Sequence, residues 1–185
     1  AKSILDLMTF DLRMAGAGMP LNQTNFQIAG AGLGTAPDPI LATATATSIS
    51  LRRNLSGQST VLTAAYTPTS SSLSMSVLSG SSLKSGNVIY ISDAVAGGGN
   101  GLRGTVSSAS SSAVSISSSY TANAAAVFPA GSVVERVDTV VYSSPVDESG
   151  ITRDAGSGPT FLSPKTTFTL RYFSDDGTLL VLPLT

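Results

Sequence analysis

The clearest periodicity lies at the start of the chain. In residues 1–15 (AKSILDLMTFDLRMA), Ile4, Met8, Leu12 and Ala15 recur at helical spacing, and Leu5 and Leu7 widen the apolar face. Asp6, Asp11 and Arg13 fall largely outside that stripe. Gly16, Gly18 and Pro20 then predict the helix stop. No capping side chain precedes Ala1, so the pattern predicts a helix that continues upstream. A helix this short is marginal alone, and its apolar stripe calls for a surface to dock on.

Helical periodicity does not return. Residues 16–40 are rich in Gly, Ala and Pro and predict a long surface loop, with turns at Pro37-Asp38-Pro39. Residues 41–53 (LATATATSISLRR) alternate, with Thr43, Thr45 and Thr47 on one face, which predicts a strand closed by Arg52 and Arg53. Six further strands are predicted at short, regular intervals: 61–66, 73–78, 87–92, 104–110, 113–120 and 132–142. Their β-branched alternation, with turn residues such as GGGNG at 97–101 between them, predicts a closed all-β module. Residues 137–145, 151–157, 166–174 and 178–184 predict an antiparallel meander whose last hairpin turns at Asp175-Asp176-Gly177. Its apolar side needs a cover, and the first helix is available.

Composition sharpens the division of the chain. Between Asn54 and Val134 the only charged residues are Lys84, Asp93 and Arg103, a break that marks 54–134 as an insertion. The domains read as 1–53 (helix, glycine-rich loop and first strand), 54–134 (Ser/Thr-rich β insertion) and 135–185 (C-terminal strands). The 31 Ser and 20 Thr supply solvent faces that elsewhere carry Lys and Glu, and charged residues are 11% against roughly 25% in ordinary domains. With 42% hydrophobic residues, the low charge does not signal disorder.

The same counts exclude whole classes of chemistry. Without His or Cys there is no Ser-His-Asp triad, thiolate nucleophile, disulfide framework or Cys/His zinc site. A net charge of −1 leaves no phosphate-neutralising surface, so no nucleic-acid partner is indicated. Ser81-Ser82-Leu83-Lys84 matches S-x-x-K, but the S-D-N and K-T-G partners are absent and the setting is strand and turn. The glycines at 16, 18, 30, 32 and 34 lack the spacing of a dinucleotide loop. Asp147, Glu148, Asp154, Asp175 and Asp176 offer oxygen ligands suited to calcium but no EF-hand spacing, and turn capping accounts for them. Tyr66, Tyr90 and Tyr120 are scattered over strand patterns where core packing is the default. No catalytic residue, metal or cofactor is assigned, and the expected protein is not an enzyme.

The run Thr9-Phe10-Asp11-Leu12-Arg13-Met14-Ala15-Gly16 resembles the signature that follows the hydrophobic helix of PilW-type minor pilins, in the type IV pilin-like and pseudopilin family. Later segments, VDTVVYSS, ITRDA and TTFTLRYFSDDGTL, are similar to the family's succession of strands, and 54–134 resembles a variable β insertion. The family's signature maps here onto Asp11, Leu12, Arg13, Ala15 and Gly16. One departure stands out: the processing motif and the apolar helix of about twenty residues that open such proteins are absent.

The resemblance implies an α+β fold, the N-terminal helix packed on an antiparallel sheet, with a β-rich insertion. It implies a structural subunit of a type IV pilus or a related secretion pseudopilus, active in assembly and possessing an adhesive role at the tip. Ile4, Leu5, Met8 and Leu12 form the expected packing stripe, so Leu12→Asp is expected to destabilise the head by a few kcal/mol. The implied partners are other pilin subunits, and the implied route runs from inner membrane and periplasm to an extracellular filament. From a different class, a β-rich adhesin or phage tail-type module would use 54–134 to hold glycan or protein.

Overall fold

The computed structural model describes residues 2–20, 25–28, 32–34, 38–68, 73–93, 99–117, 127–144, 150–174 and 176–181. Its elements in chain order are α1 (Lys2–Arg13), β1 (Asn25–Ile28), β2 (Gly32–Gly34), β3 (Ser48–Arg53), β4 (Ser59–Val61), β5 (Ser74–Ser76), β6 (Val88–Ser92), β7 (Asn100–Ala109), β8 (Ala113–Ile116), β9 (Val133–Arg136), β10 (Asp138–Ser143), β11 (Gly150–Asp154) and β12 (Pro159–Pro164). They form two compact units. One holds residues 1–17, 38–53 and 138–185; the other holds 18–37 and 54–137.

The α+β, helix-on-sheet pilin architecture expected from the resemblance is overturned. The molecule is mostly β, with one twelve-residue helix against strands in two sheets, one of four and one of eight. The physical reason is how little the helix supplies. Of its large apolar side chains only Ile4 and Met8 are buried, while the main apolar cluster is built wholly from the eight-stranded sheet and its connections.

In the first unit the four-stranded antiparallel sheet runs β12-β11-β10-β3. Strict alternation in β3 turns Ile49, Leu51 and Arg53 to one face, opposite Tyr142, Val140 and Asp138 of β10 in register. Of the strand expected over 41–53 only Ser48–Arg53 forms; residues 41–47 are instead a pair of turns, closed by Ala44 N donating to Leu41 O and Thr45 N to Ser48 O. The far edge is β12, bracketed by Pro159 and Pro164, which cannot donate to an added strand. The strands expected at 166–174 and 178–184 are reduced, among the described residues, to the isolated bridge Phe173↔Leu179. The hairpin there is closed by Ser174 N→Thr178 O (2.9 Å) and Leu180 N→Tyr172 O (2.8 Å).

In the second unit the predicted β module is a closed circuit. β9 pairs with β4 and β6, β6 with β7, β7 with β8 and β8 with β5. The ring closes where Thr63 N donates to Ser76 O (3.0 Å) and Leu78 N to Val61 O (2.9 Å), around the bridge Leu62↔Val77. Side chains such as Leu62, Ile89, Ile91, Leu102, Val114 and Phe128 fill the interior and are essentially inaccessible. Gly104 suits that packing, since a Cβ there would press on Ile116 Cγ2 at 3.0 Å. The run 132–142, expected as one strand, divides at Val137: β9 belongs to this unit and β10 to the other. Part of the expected loop 16–40 is also strand, because β1 and β2 add to the outside of β7.

Candidate functional site

Helix α1 begins without a capping side chain among the described residues and ends in the Gly-rich turn that its sequence encodes. Gly16 takes φ 86°, a left-handed conformation open to glycine, and its amide donates to Arg52 O at 2.8 Å. That bond ties the helix exit to β3. Within the helix, Ile4, Met8 and Asp11 follow at i, i+4 and i+7, and all three are buried.

Asp11 is the centre of the site. Its carboxylate is wholly inaccessible and meets three strands of the four-stranded sheet. Oδ1 pairs with Arg53 Nη1 of β3 at 3.0 Å. Oδ2 accepts from Tyr142 Oη of β10 at 2.6 Å and from Arg153 Nε of β11 at 3.0 Å. Arg153 Nε also lies 3.1 Å from Tyr142 Oη, so phenol, guanidinium and carboxylate form a closed triangle. Two rings complete it: Arg153 stacks over Tyr142 (5.8 Å) and Arg53 over Phe10 (5.1 Å).

A carboxylate denied water is tolerated only when charge and hydrogen bonds replace the hydration it lost. Two guanidiniums and a phenol do so here. Burial, and next the bond to Asp11, hold the Tyr142 phenol far above its ordinary value of 10, so it stays protonated and donating. Burial alone would lower the Arg153 value; its bonds to Asp11 and Tyr142 outweigh that and raise it. The arrangement is a clasp. It has no nucleophile and no free base, and its chemistry is to hold α1 against the sheet.

The structure places the predicted residues unevenly. Ile4 and Met8 of the expected stripe are buried, but Leu5 is 62% exposed and Leu12 38%. Asp11, expected outside the stripe, lies at its centre. Phe10 and Met14, on the opposite flank, are also exposed. Of the signature residues, Asp11 is buried, Leu12 and Arg13 are exposed, Ala15 is half-buried and Gly16 makes the turn. The expectation for Leu12→Asp is therefore corrected, because a charge at this position reaches water.

Sequence reasoning missed Arg53, Tyr142 and Arg153 as a group. One signal was available: two arginines in a chain of few charges, with Arg53 and Tyr142 each at a buried phase of its strand's alternation.

The remaining candidates do not gather. Ser81, Ser82 and Lys84 are exposed in a turn, where Lys84 N donates to Asn87 Oδ1. Asp154 Oδ1 accepts from the Gly156 and Gly158 amides, and Asp176 Oδ1 from the Thr178 amide; each carboxylate caps its own loop. Asp147, Glu148, Asp175 and Tyr120 lie outside the described residues. Among the described residues no group of acidic side chains could hold a metal, and no helix is long and apolar enough to cross a membrane. Tyr66 and Tyr90 are core, stacked on Phe128 and Phe26. No family model, curated protein or solved structure matches the chain.

Proposed function

We propose that the chain is the head region of a minor pilin or pseudopilin, a non-enzymatic structural subunit of a type IV pilus or related secretion pseudopilus. In this reading it is exported through the inner membrane and periplasm into an extracellular filament, where it aids assembly and adhesion. One observation carries it. Three of the four segments quoted for the resemblance, TFDLRMAG, VDTVVYSS and ITRDA, converge on a single point through Asp11, Tyr142 and Arg153, and TTFTLRYFSDDGTL takes no part. A motif kept for a shared structural purpose accounts for that convergence, whereas a chance match of a short run does not require it.

The reading does not use the helix-on-sheet pilin architecture, which the mostly β structure overturns. It uses the clasp and the flanks of the helix. With its middle held inward by Asp11, α1 turns Leu5 and Leu12 outward on one side and Phe10 and Met14 on the other. Helices apolar over so wide an arc are covered in their working state. Neighbouring subunits of a filament would cover these flanks.

The test is incorporation. In cells that make the protein, Leu5→Ser with Leu12→Ser is expected to reduce its amount in sheared surface filaments while leaving thermal unfolding unchanged. If the unaltered protein is absent from the filament fraction, the reading fails. A binding module of the adhesin or phage tail type is the second reading, favoured by the closed β circuit of residues 54–137. Retention of binding to cells by that module, with no filament association, would favour it.

A further inference from the structure

We infer that the Leu5–Leu12 flank of α1 is a self-pairing surface, which in solution takes the same flank of a second copy of this chain in antiparallel orientation. The pairing concerns the chain alone and does not depend on the filament reading, although both use this flank.

The two apolar flanks of α1 are not equivalent. Phe10, on one, lies beneath the Arg53 guanidinium at 5.1 Å, so its ring face is already engaged within the chain. Leu5 and Leu12, on the other, are exposed, and so is Thr9 between them. Positions 5, 9 and 12 are spaced four and three apart, the d-a-d spacing of a helix-pairing seam, and the short Thr9 side chain at its middle lets a second helix come close. The seam runs beside the buried line of Ile4, Met8 and Asp11, so the clasp that holds α1 on its sheet also sets the direction in which the seam faces.

The charges beside the seam point to its occupant. Asp6 and Arg13 are both exposed, each one residue after a seam leucine, and they stand two turns apart, about 10 Å along the axis. A parallel copy would set Asp6 against Asp6 and Arg13 against Arg13. An antiparallel copy, turned about Thr9, sets Leu5 against Leu12 and Asp6 against Arg13, with the two Thr9 side chains meeting at the centre. Each contact away from the axis then occurs twice, as a two-fold interface requires. The helix is thus complementary, in both shape and charge, to itself in reverse. The seam is only two turns long, well short of the roughly 800 Å² per partner that a stable dimer buries, so the pairing is weak, with a dissociation constant of about 0.1–1 mM.

The test uses the full-length chain. Sedimentation equilibrium between about 10 μM and 1 mM is expected to show a mass that rises from monomer toward dimer. Leu5→Ser with Leu12→Ser, both at exposed positions, should leave the circular dichroism unchanged and abolish the rise. Asp6→Lys alone and Arg13→Glu alone each bring like charges together and should weaken association severalfold. Both changes in one chain restore opposite charges across an antiparallel pair and should recover it. Because the chain contains no cysteine, Thr9→Cys under mild oxidation gives a second readout, a linked dimer whose yield follows the same order across the charge variants. A monomeric mass over the whole range overturns the inference. A dimer that survives the serine pair overturns it by placing the contact elsewhere. A dimer that the single charge variants leave unchanged, or that the double variant fails to restore, overturns the antiparallel arrangement.

Discussion

Replacing Asp11 by Asn removes one charge and almost no volume, and so isolates the clasp. Asn can still accept one bond through its amide oxygen, but it leaves Arg53 and Arg153 without their carboxylate. Those guanidinium side chains are only 8% and 18% exposed, so water cannot fully replace the lost partner. Breaking a buried ion pair from one side costs about 3–5 kcal/mol. Because the molecule has two units, a single melting temperature would blend them. Amide hydrogen exchange resolved by peptide is the better assay, read on Asp138–Ser143 and Gly150–Asp154. A cost of that size predicts exchange faster by roughly 100- to 4,000-fold there. Residues 88–92 and 100–109, in the other unit, should change little. The complementary variant makes the logic sharper: Asp11→Leu with Arg53→Met, Tyr142→Phe and Arg153→Met removes every polar member at once. Apolar replacement of a whole buried network is often neutral or stabilising, so this chain should exchange like the original. If Asp11→Asn alters exchange in β10 and β11 less than about threefold, under ~0.7 kcal/mol, the clasp does not hold the helix.

Four further outcomes follow from the same geometry. Leu12→Asp should cost less than about 1 kcal/mol in urea unfolding, because the side chain is already 38% exposed. At alkaline pH, burial raises Tyr66 to about 12 and, with the Asp11 bond, drives Tyr142 higher still. Their stabilisation is complete below pH 10, where the unfolded phenol titrates, and is lost as pH rises through the folded values. Ultraviolet titration should then show these phenols ionising only as the chain unfolds, and Tyr142→Phe should flatten the loss of stability above pH 10. In the terminal hairpin, Asp176 accepts first from the Ser174 hydroxyl and then from the Thr178 amide, which lowers its carboxyl to about 2. That contribution is present above the ordinary value near 3.8 and fades as pH falls through about 2, so the Thr178 amide resonance should move over that interval and lose the transition in Asp176→Asn. Gly80→Ala should destabilise the closed circuit by about 2 kcal/mol or more in chemical unfolding, since its Cβ would lie 2.4 Å from the Ser110 carbonyl oxygen.

What the sequence reveals depends on how local its cause is. Alternation in 48–53 and 113–116 comes from one face packing inward, and those strands are legible residue by residue. The glycines after Met14 are equally plain, because a left-handed turn has few alternatives to glycine at 16 and 18. Three features resist such reading. Asp11 looks like a surface residue because nothing near it in sequence announces Arg53, Tyr142 and Arg153, and only the tertiary fold brings the charges together. The apolar arc of the helix covers more than half its circumference, while the fold buries just its middle, so Leu5 and Leu12 looked equivalent to Ile4 and Met8. The β-branched run 132–142 conceals a passage between units, since Val137 continues the strand pattern through the point where the chain changes sheets. At the C-terminal end the opposite happens. Alternating Phe168, Leu170 and Tyr172 promise a strand, yet the described backbone there bonds mainly to turns, as when Leu170 N donates to Ala46 O.

In the proposed filament, the clasp holds α1 so that its apolar flanks face neighbouring subunits. The most direct measurement is photo-crosslinking in cells making the protein, with a photoreactive residue placed at Leu5 or Leu12 and, as the comparison, at the exposed Asp6, which lies opposite the buried Ile4–Met8–Asp11 line of the same helix. Crosslinks from Leu5 and Leu12 to a second filament subunit, absent or much weaker from Asp6 and lost in Asp11→Asn, are the predicted result. Equal labelling from all three positions, or labelling that Asp11→Asn leaves unchanged, would contradict it.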